Sequence, residues 1–397
     1  MNRIELLMPA GDLDKLKVAL LYGADAVFIG GKKFSLRAKA SNFTLEDIEE
    51  GVKFAHSLSK KVYVTVNIIP HYDDLDQIET YLLQLDKIGV DAIIVSSIYI
   101  IALCKKMNLN LQCHVSTQVS ATNSSYLDFY KSLGCSRVVL ARECSLKDIS
   151  SIHENNDLEL EVFVQGGLCS SISGKCTLSN YFVDRDANRG GCAHSCRWDY
   201  TLYDNESEIN CHKEFKIASK DLMGIALLDK IIESGVSSLK VEGRMKSINY
   251  IALVARTYRK AIDAYYNGNF SQKLIDEVTR DLKKIENRPL CEGFLNLLGI
   301  SKNDQIYSNE SLMVNQKFLG YVVNYDKISK IAEIKRKNDI VKNKEIHVIT
   351  YDNNDFSFTI DVLQNEKGNI EIANKTEDRV FIKSEKTLKK YYLLRGD

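Results

Sequence analysis

Short apolar runs alternate with amphipathic stretches through the first 165 residues of the chain. The runs lie at Ile4–Met8, Ala26–Ile29, Val62–Val66, Ala92–Val95, Leu109–Val115, Arg137–Ala141 and Leu158–Val164. Continuous short runs of this kind are the pattern of strands buried on both faces. Between them, apolar positions recur at helical spacing over Leu13–Leu21, Leu45–Ala55, Leu75–Ile88, Tyr126–Leu133 and Leu146–Ile152. Asp12 stands before the first of these as a cap, and Thr44, with Glu46 and Asp47 behind it, before the second. Gly-Ala-Asp-Ala at 23–26 and Gly-Val-Asp-Ala at 89–92 end a helix and open the next strand. An eighth run, Ser238–Val241, comes much later, followed by a helical pattern over Ile248–Asn267. Eight buried strands joined by crossovers predict a closed (β/α)8 TIM-type barrel. An open doubly wound sheet is the competing reading, but Gly-x-Gly-x-x-Gly is absent after the first strand, and Gly30-Gly31 reads as a turn.

The period breaks at about residue 168 and resumes at 237, which marks an insertion before the last barrel strand. Within it, Trp198–Tyr203 alternates like a strand and Asp221–Ser234 has helical spacing. The barrel with its insertion is assigned to 1–267, and a polar, helical connection to 268–315. From 316 to 397 the period changes to short β-like runs: Phe318–Val323, Ile331–Ile334, Glu345–Thr350, Phe356–Val362, Ile370–Ala373, Arg379–Ile382 and Tyr391–Leu394. These predict a small C-terminal all-β barrel domain.

Composition narrows the function classes. The chain has 397 residues, 53 basic against 53 acidic, and 45% hydrophobic content. A wholly electrostatic nucleic-acid binder would be basic, so any RNA contact must come from a local patch. No apolar run approaches the roughly 18–20 residues of a membrane span. Ten cysteines without an export signal imply a reducing compartment, and a cytoplasmic location is expected.

Four of those cysteines, Cys169, Cys176, Cys192 and Cys196, fall within 28 residues of the insertion, among Gly166, Gly167, Gly174, Gly190 and Gly191. Thiolates gathered between a strand and a glycine-rich loop hold an iron–sulfur cluster or a structural zinc. Zinc favours pairs two to four residues apart, which only Cys192 and Cys196 satisfy, and the longer gap from Cys169 to Cys176 leans towards [4Fe–4S]. His194 lies between the second pair as a substitute ligand. Cys104, Cys113, Cys135, Cys144, Cys211 and Cys291 read as unrelated thiols.

The run Glu161-Val-Phe-Val-Gln-Gly-Gly-Leu-Cys-Ser-Ser-Ile-Ser-Gly-Lys-Cys-Thr-Leu-Ser179 resembles the signature of the collagenase-like peptidase family U-32. It departs at Gly167, where the family has Ser or Ala. Further similar segments are Met8–Asp12, Gly23–Val27, Phe34–Ala38, His114–Gln118, Leu140–Glu143, Ser219–Leu222 and Val241–Ser247. The resemblance is strongest to the tRNA hydroxylation proteins of that family. It implies prephenate-dependent conversion of wobble uridine to 5-hydroxyuridine in tRNA, with a [4Fe–4S] cluster on cysteines and a homologous partner subunit in some relatives. Where some relatives have Ser-Lys-Asp-Leu-Cys, this chain has Met223, which leaves Cys196 as the fourth ligand beside Cys169, Cys176 and Cys192. Two other readings stand beside hydroxylation: a peptidase, as the family name suggests, and a non-catalytic RNA-binding accessory subunit. The sequence contains no His-Glu-x-x-His and no Gly-x-Ser-x-Gly.

Polar residues at predicted strand ends form a second constellation. Arg37, Arg142, Lys240, Glu242 and Arg244 are candidates for binding substrate, and His114, Gln118 and Glu161 for catalysis. Strand ends converge at a barrel mouth, where arginines can grip carboxylates such as those of prephenate by two parallel hydrogen bonds. His114, Gln118, Arg142 and Arg244 are expected to line one cavity; ordinary loop salt bridges are the plainer alternative. In the β domain, Lys327, Lys330, Lys335, Arg336, Lys337, Lys342 and Lys344 read either as a solvated charged face or as an RNA backbone patch.

Overall fold

The computed structural model describes residues 3–36, 42–209, 216–285, 287–296 and 317–396; Arg37 and Cys211 fall outside them. Seven strands pair in parallel and in chain order: β1 (Glu5–Pro9), β2 (Ala26–Gly30), β3 (Lys61–Val66), β4 (Ala92–Val95), β5 (Gln112–Val115), β6 (Arg137–Val139) and β7 (Glu159–Gly167). The closing strand Ser238–Val241 pairs with both β1 and β7, so the sheet has become a barrel. Alternation along each strand sends Leu7, Ala26, Phe28, Tyr63, Ala92 and Ile94 inwards into one buried cluster. The other face is covered by helices whose apolar stripes match the spacing read from sequence: α1 (Leu13–Leu21), α2 (Leu45–Ser57) and α3 (Leu75–Ile88). Asp12 accepts from the Lys15 amide at 2.9 Å, and Thr44 and Asp47 cap each other reciprocally. Each such cap stabilises a helix by about 1 kcal/mol.

The structure corrects four sequence expectations. Helix α4 (Ile98–Lys106) was not expected, because Ile-Tyr-Ile-Ile-Ala-Leu-Cys is apolar nearly all round and offers no helical stripe. The stretch Asp221–Ser234 is not one helix: Asp221–Met223 is a strand, Ile225–Leu227 a 3-10 turn and Leu228–Glu233 a short helix. The cause is tertiary. β7 runs past its neighbours to Gly167, and Asp221–Met223 pairs antiparallel with the overhang, Met223 opposite Gln165. Part of the expected polar connection joins the same sheet, since Leu290–Cys291 pairs with Asp221–Leu222. Finally, the alternating run 198–203 contributes only Tyr203–Asp204, in an exposed hairpin with Ser207–Glu208.

The chain divides into two compact units, one of 1–283 with 287–312 and one of 284–286 with 313–397. The second unit is an eight-stranded antiparallel sheet, with a two-stranded pair Ile340–Val341 and Ile372–Ala373. It wraps a core of its own that includes Val322, Ile334, Val348, Ile360, Val380, Ile382 and Leu394. Among the described residues, its edge strands Phe356–Thr359 and Gly368–Asn369 do not pair with each other. No helix among the described residues is long and apolar enough to cross a membrane.

Candidate functional site: the barrel mouth and its cysteine loop

The cysteine-rich excursion leaves β7 at the end of the barrel where α/β barrels place their chemistry. Two glycines let it lie flat against the neighbouring strand ends. A methyl group on Gly166, at φ +103°, would lie 2.3 Å from the Glu242 carbonyl oxygen; one on Gly174, at φ +75°, would lie 2.0 Å from that of Gln118. Ser173 fixes the seat: its amide donates to Glu143 Oε1 at 3.0 Å, and its carbonyl accepts from Ser120 Oγ. On the far side Arg189 donates to the Ile69 carbonyl and to Asp74, both at 2.7 Å. The loop is therefore tied to the segments after β3, β5 and β6.

Of the four cysteines, Cys169 is exposed and Cys176, Cys192 and Cys196 are partly buried; no disulfide joins them. Burial raises the Cys196 thiol, Ser170 and Arg197 oppose that, and Cys169 and Cys192 raise it further. Three of the four thiols thus lie within electrostatic reach of one another, and Cys176 is not among the groups acting most strongly on Cys196. Among the described residues, no three His, Cys, Asp or Glu side chains converge as a single bound ion requires. A cluster spreads its ligands over several iron atoms and asks for less convergence than one ion does. The donor set at this loop is all sulfur, the chemistry of a cluster rather than of a hard cation. Met223 stands opposite Gln165 on the β7 overhang.

Deeper in the barrel sits a charged network whose extent sequence did not reveal. Glu161 is fully buried, with Lys240 Nζ at 2.6 Å and Arg137 Nη1 at 3.1 Å. Arg137 also pairs with Glu5 at 2.5 Å, and Tyr63 donates to the same carboxylate at 2.7 Å. Burial alone would raise the Glu161 carboxyl, but Lys240, Arg137 and His114 outweigh it and hold it at about 2. His114 faces this network edge-on to Tyr63, at 4.7 Å between ring centroids, and neither ring nitrogen has a hydrogen-bond partner. Burial and then the positive Arg137 push its pKa down to about 3, so it is neutral. A neutral imidazole with both nitrogens open offers one hydrogen-bond donor and one acceptor, and basicity this low suits it to hydrogen bonding rather than to proton abstraction. Phe163 and Phe28 present their ring faces to Lys240 at 5.5 and 4.7 Å.

Nearer the mouth, Arg244 is 4% exposed and held by Ser35 Oγ at 2.8 Å, Asn42 Oδ1 at 2.6 Å and Thr65 Oγ1 at 3.4 Å. Gly30 makes this possible, since a methyl group there would lie 2.1 Å from the Arg244 guanidinium. The turn glycine is thus the floor under an arginine. Arg142 lays its guanidinium 3.9 Å above the Phe163 ring, with a buried Nε that has no partner. Gln118 lies in the 3-10 turn Thr117–Val119, and the Glu242 carbonyl accepts from Tyr250 at 3.1 Å. Of the four side chains expected to line one cavity, His114 lies inside with Glu161 and Lys240, Arg142 and Arg244 lie nearer the mouth, and Gln118 lies in the turn after β5. Glu5, Tyr63, Arg137, Ser35 and Thr65 were missed. An isolated Arg or Glu opening an apolar run was the available signal, because a charge is buried in a strand only against a counter-charge.

Four of the β-domain cations are paired locally: Lys330 with Glu385, Lys335 with Asp378, Arg336 with Asp339 and Lys342 with Glu371.

Comparisons with known proteins agree with this architecture. Residues 11–303 match the model of peptidase family U32, and residues 314–395 match the peptidase family U32 C-terminal domain. The tRNA hydroxylation protein P1 of Bacillus subtilis is 41% identical over 92% of this chain and 88% of its own length. A 23S rRNA 5-hydroxycytidine synthase of Escherichia coli is 39% identical over 66% of this chain and 40% of its own length. A collagenase of Porphyromonas gingivalis is 30% identical over 87% of this chain and 85% of its own length.

Proposed function

The chain belongs to peptidase family U32, and from that premise we propose that it is an RNA hydroxylase, one that converts wobble uridine in tRNA to 5-hydroxyuridine with prephenate as co-substrate. The observation that carries this reading is the end-to-end similarity to a tRNA hydroxylation protein, 41% identical across 92% of the chain. Replacing C–H by C–OH at uridine C5 is a two-electron oxidation that adds one oxygen, so the reaction requires an electron acceptor and an oxygen source as well as the RNA and prephenate. Arg244, held by Ser35, and Arg142, stacked on Phe163, would receive the carboxylates of prephenate at the mouth. His114, neutral and open at both nitrogens, would offer a bound substrate one hydrogen-bond donor and one acceptor. Cys169, Cys192 and Cys196, with Cys176 as fourth ligand, would hold a [4Fe–4S] cluster. Bound there, the cluster would supply one-electron transfer beside the mouth.

Mass spectrometry of tRNA nucleosides from a deletion strain tests the reading. The 5-hydroxyuridine-derived nucleosides should disappear and return on complementation. An unchanged pool in a genome without a second homologue sinks it. The similarity to a collagenase favours peptidase activity as a second reading; cleavage of denatured collagen by metal-free, colourless protein, with tRNA unchanged, would establish that instead. A need for a second chain in a purified reaction would make this protein an accessory subunit.

A further inference from the structure

The cysteine-rich excursion carries a cluster of aromatic rings that are packed together yet open to water. Tyr181 and Phe182 meet edge to face at 5.1 Å between centroids, and Phe182 lies 6.0 Å from Trp198 and 5.7 Å from Tyr200. Tyr181 is 83% exposed, Phe182 41% and Trp198 40%. Rings that pack together normally do so in a core, and here the core side is absent. The backbone of the cysteine loop holds them in place. Tyr200 donates to the Ser195 carbonyl at 2.7 Å, and Ser179, on the helix that bears Tyr181 and Phe182, accepts from the Ala193 amide at 3.0 Å. Residues 193 and 195 lie between Cys192 and Cys196, so the rings move with that pair.

The helix that bears Tyr181 and Phe182 has a cation near each end, beside the exposed Asp184. Lys175 and Arg185 flank the helix Leu178–Val183 at its two ends, and among the described residues neither has an ion-pair partner. Arg189 and Lys216, by contrast, are held by Asp74 and Asp199. Open ring faces between free cations suit one kind of occupant: a single strand of nucleic acid, whose bases stack on rings while its phosphates meet the cations.

We propose that Tyr181, Phe182 and Trp198 form a stacking platform for unpaired bases of the RNA substrate, with Lys175 and Arg185 contacting its phosphates. The platform rests on the RNA reading above and deepens it. Bases held here flank the one that is to reach the barrel mouth, and the tie through residues 193 and 195 fixes that spacing. It also explains how an electrically neutral chain with a largely self-paired β domain can grip RNA.

Trp198 is the sole tryptophan of the chain, so its fluorescence reports on this surface alone. Full-length protein is titrated with an anticodon stem–loop RNA, and separately with a fully paired duplex of similar length. The stem–loop should quench Trp198 and the duplex should not. Tyr181→Ala and Phe182→Ala should each weaken stem–loop affinity about tenfold, while Tyr181→Phe retains it because the ring remains. In a purified reaction, Phe182→Ala should raise the KM for tRNA more than it lowers kcat. Tyr181 stands free of the core, so its variants should fold, and circular dichroism checks that they do. Unchanged fluorescence with the stem–loop bound, or wild-type affinity in both alanine variants, overturns the platform. Self-association of the wild type that Trp198→Ala abolishes overturns it too, since a second copy would then be the occupant. The two readings separate cleanly: cells that lose hydroxyuridine on deletion while the variants bind normally reject the platform alone. Specific quenching with unchanged cellular tRNA rejects the hydroxylation reading and leaves the platform standing.

Discussion

Glu161 has no water to fall back on, and its charge survives only because Lys240 and Arg137 face it. Removing one partner of such a pair leaves the other buried and uncompensated. Lys240→Met should therefore destabilise the barrel by about 3–5 kcal/mol, measured by urea unfolding. The double variant Lys240→Met with Glu161→Gln should recover much of that loss. Acid titration reads the same network. His114 is depressed to about 3, so the unfolded chain binds its proton first and stability falls as pH drops below 6.5. Glu161 is depressed to about 2, so its contribution is complete above 4.5 and is lost as pH falls from there towards 2. The unfolding free energy should thus decline in two stages on acidification, the first with a slope of about 1.4 kcal/mol per pH unit, and the melting temperature should follow it. His114→Gln should remove the first stage and keep the second; an unaltered upper stage would mean that His114 is not the group responsible.

At the scale of elements, the excursion after β7 is fixed by a few contacts that admit no spare atom. Gly174→Ala places a methyl group against the Gln118 carbonyl in a backbone conformation that side chains avoid. The loop should lift from the turn after β5 while the barrel persists. The expected result is protease cleavage within 168–200 with a little-changed far-ultraviolet circular dichroism spectrum; wild-type resistance would mean the seat tolerates the methyl. Gly30→Ala acts on a different element by pushing the Arg244 guanidinium out of its Ser35 and Thr65 site. It should reduce hydroxylation at least tenfold, an arginine clamp being sensitive to small displacements. A normal nucleoside profile in that variant would remove Arg244 from the site.

For the whole molecule, the decisive fact is the division into two units with separate cores. The β unit buries Val322, Ile334, Val348, Val380 and Leu394 among its own strands. Residues 313–397 should accordingly fold when expressed alone, with dispersed amide resonances and cooperative melting. A collapsed spectrum for the isolated segment would show that the two cores are not independent.

Much of this was present in the pattern of residues. The eight barrel strands and most of the helices around them follow from runs and stripes that only one environment satisfies, although the closing strand Ser238–Val241 carries Ser238 and Lys240 beside only two apolar residues. The cysteine loop and the strand-end polar residues were visible as chemistry without geometry. What sequence could not supply were features created by the meeting of distant segments. Asp221–Met223 has the local look of a helix and became a strand because β7 overhangs its neighbours. Glu5 and Arg137 are 132 residues apart in the chain and became one ion pair only when β1 and β6 faced each other across the barrel. Gly30 read as a turn because nothing near it in the chain announces Arg244. Local free energies choose elements, and they are written in neighbouring residues. The cost of a buried charge is settled only by whatever the closed barrel brings to face it.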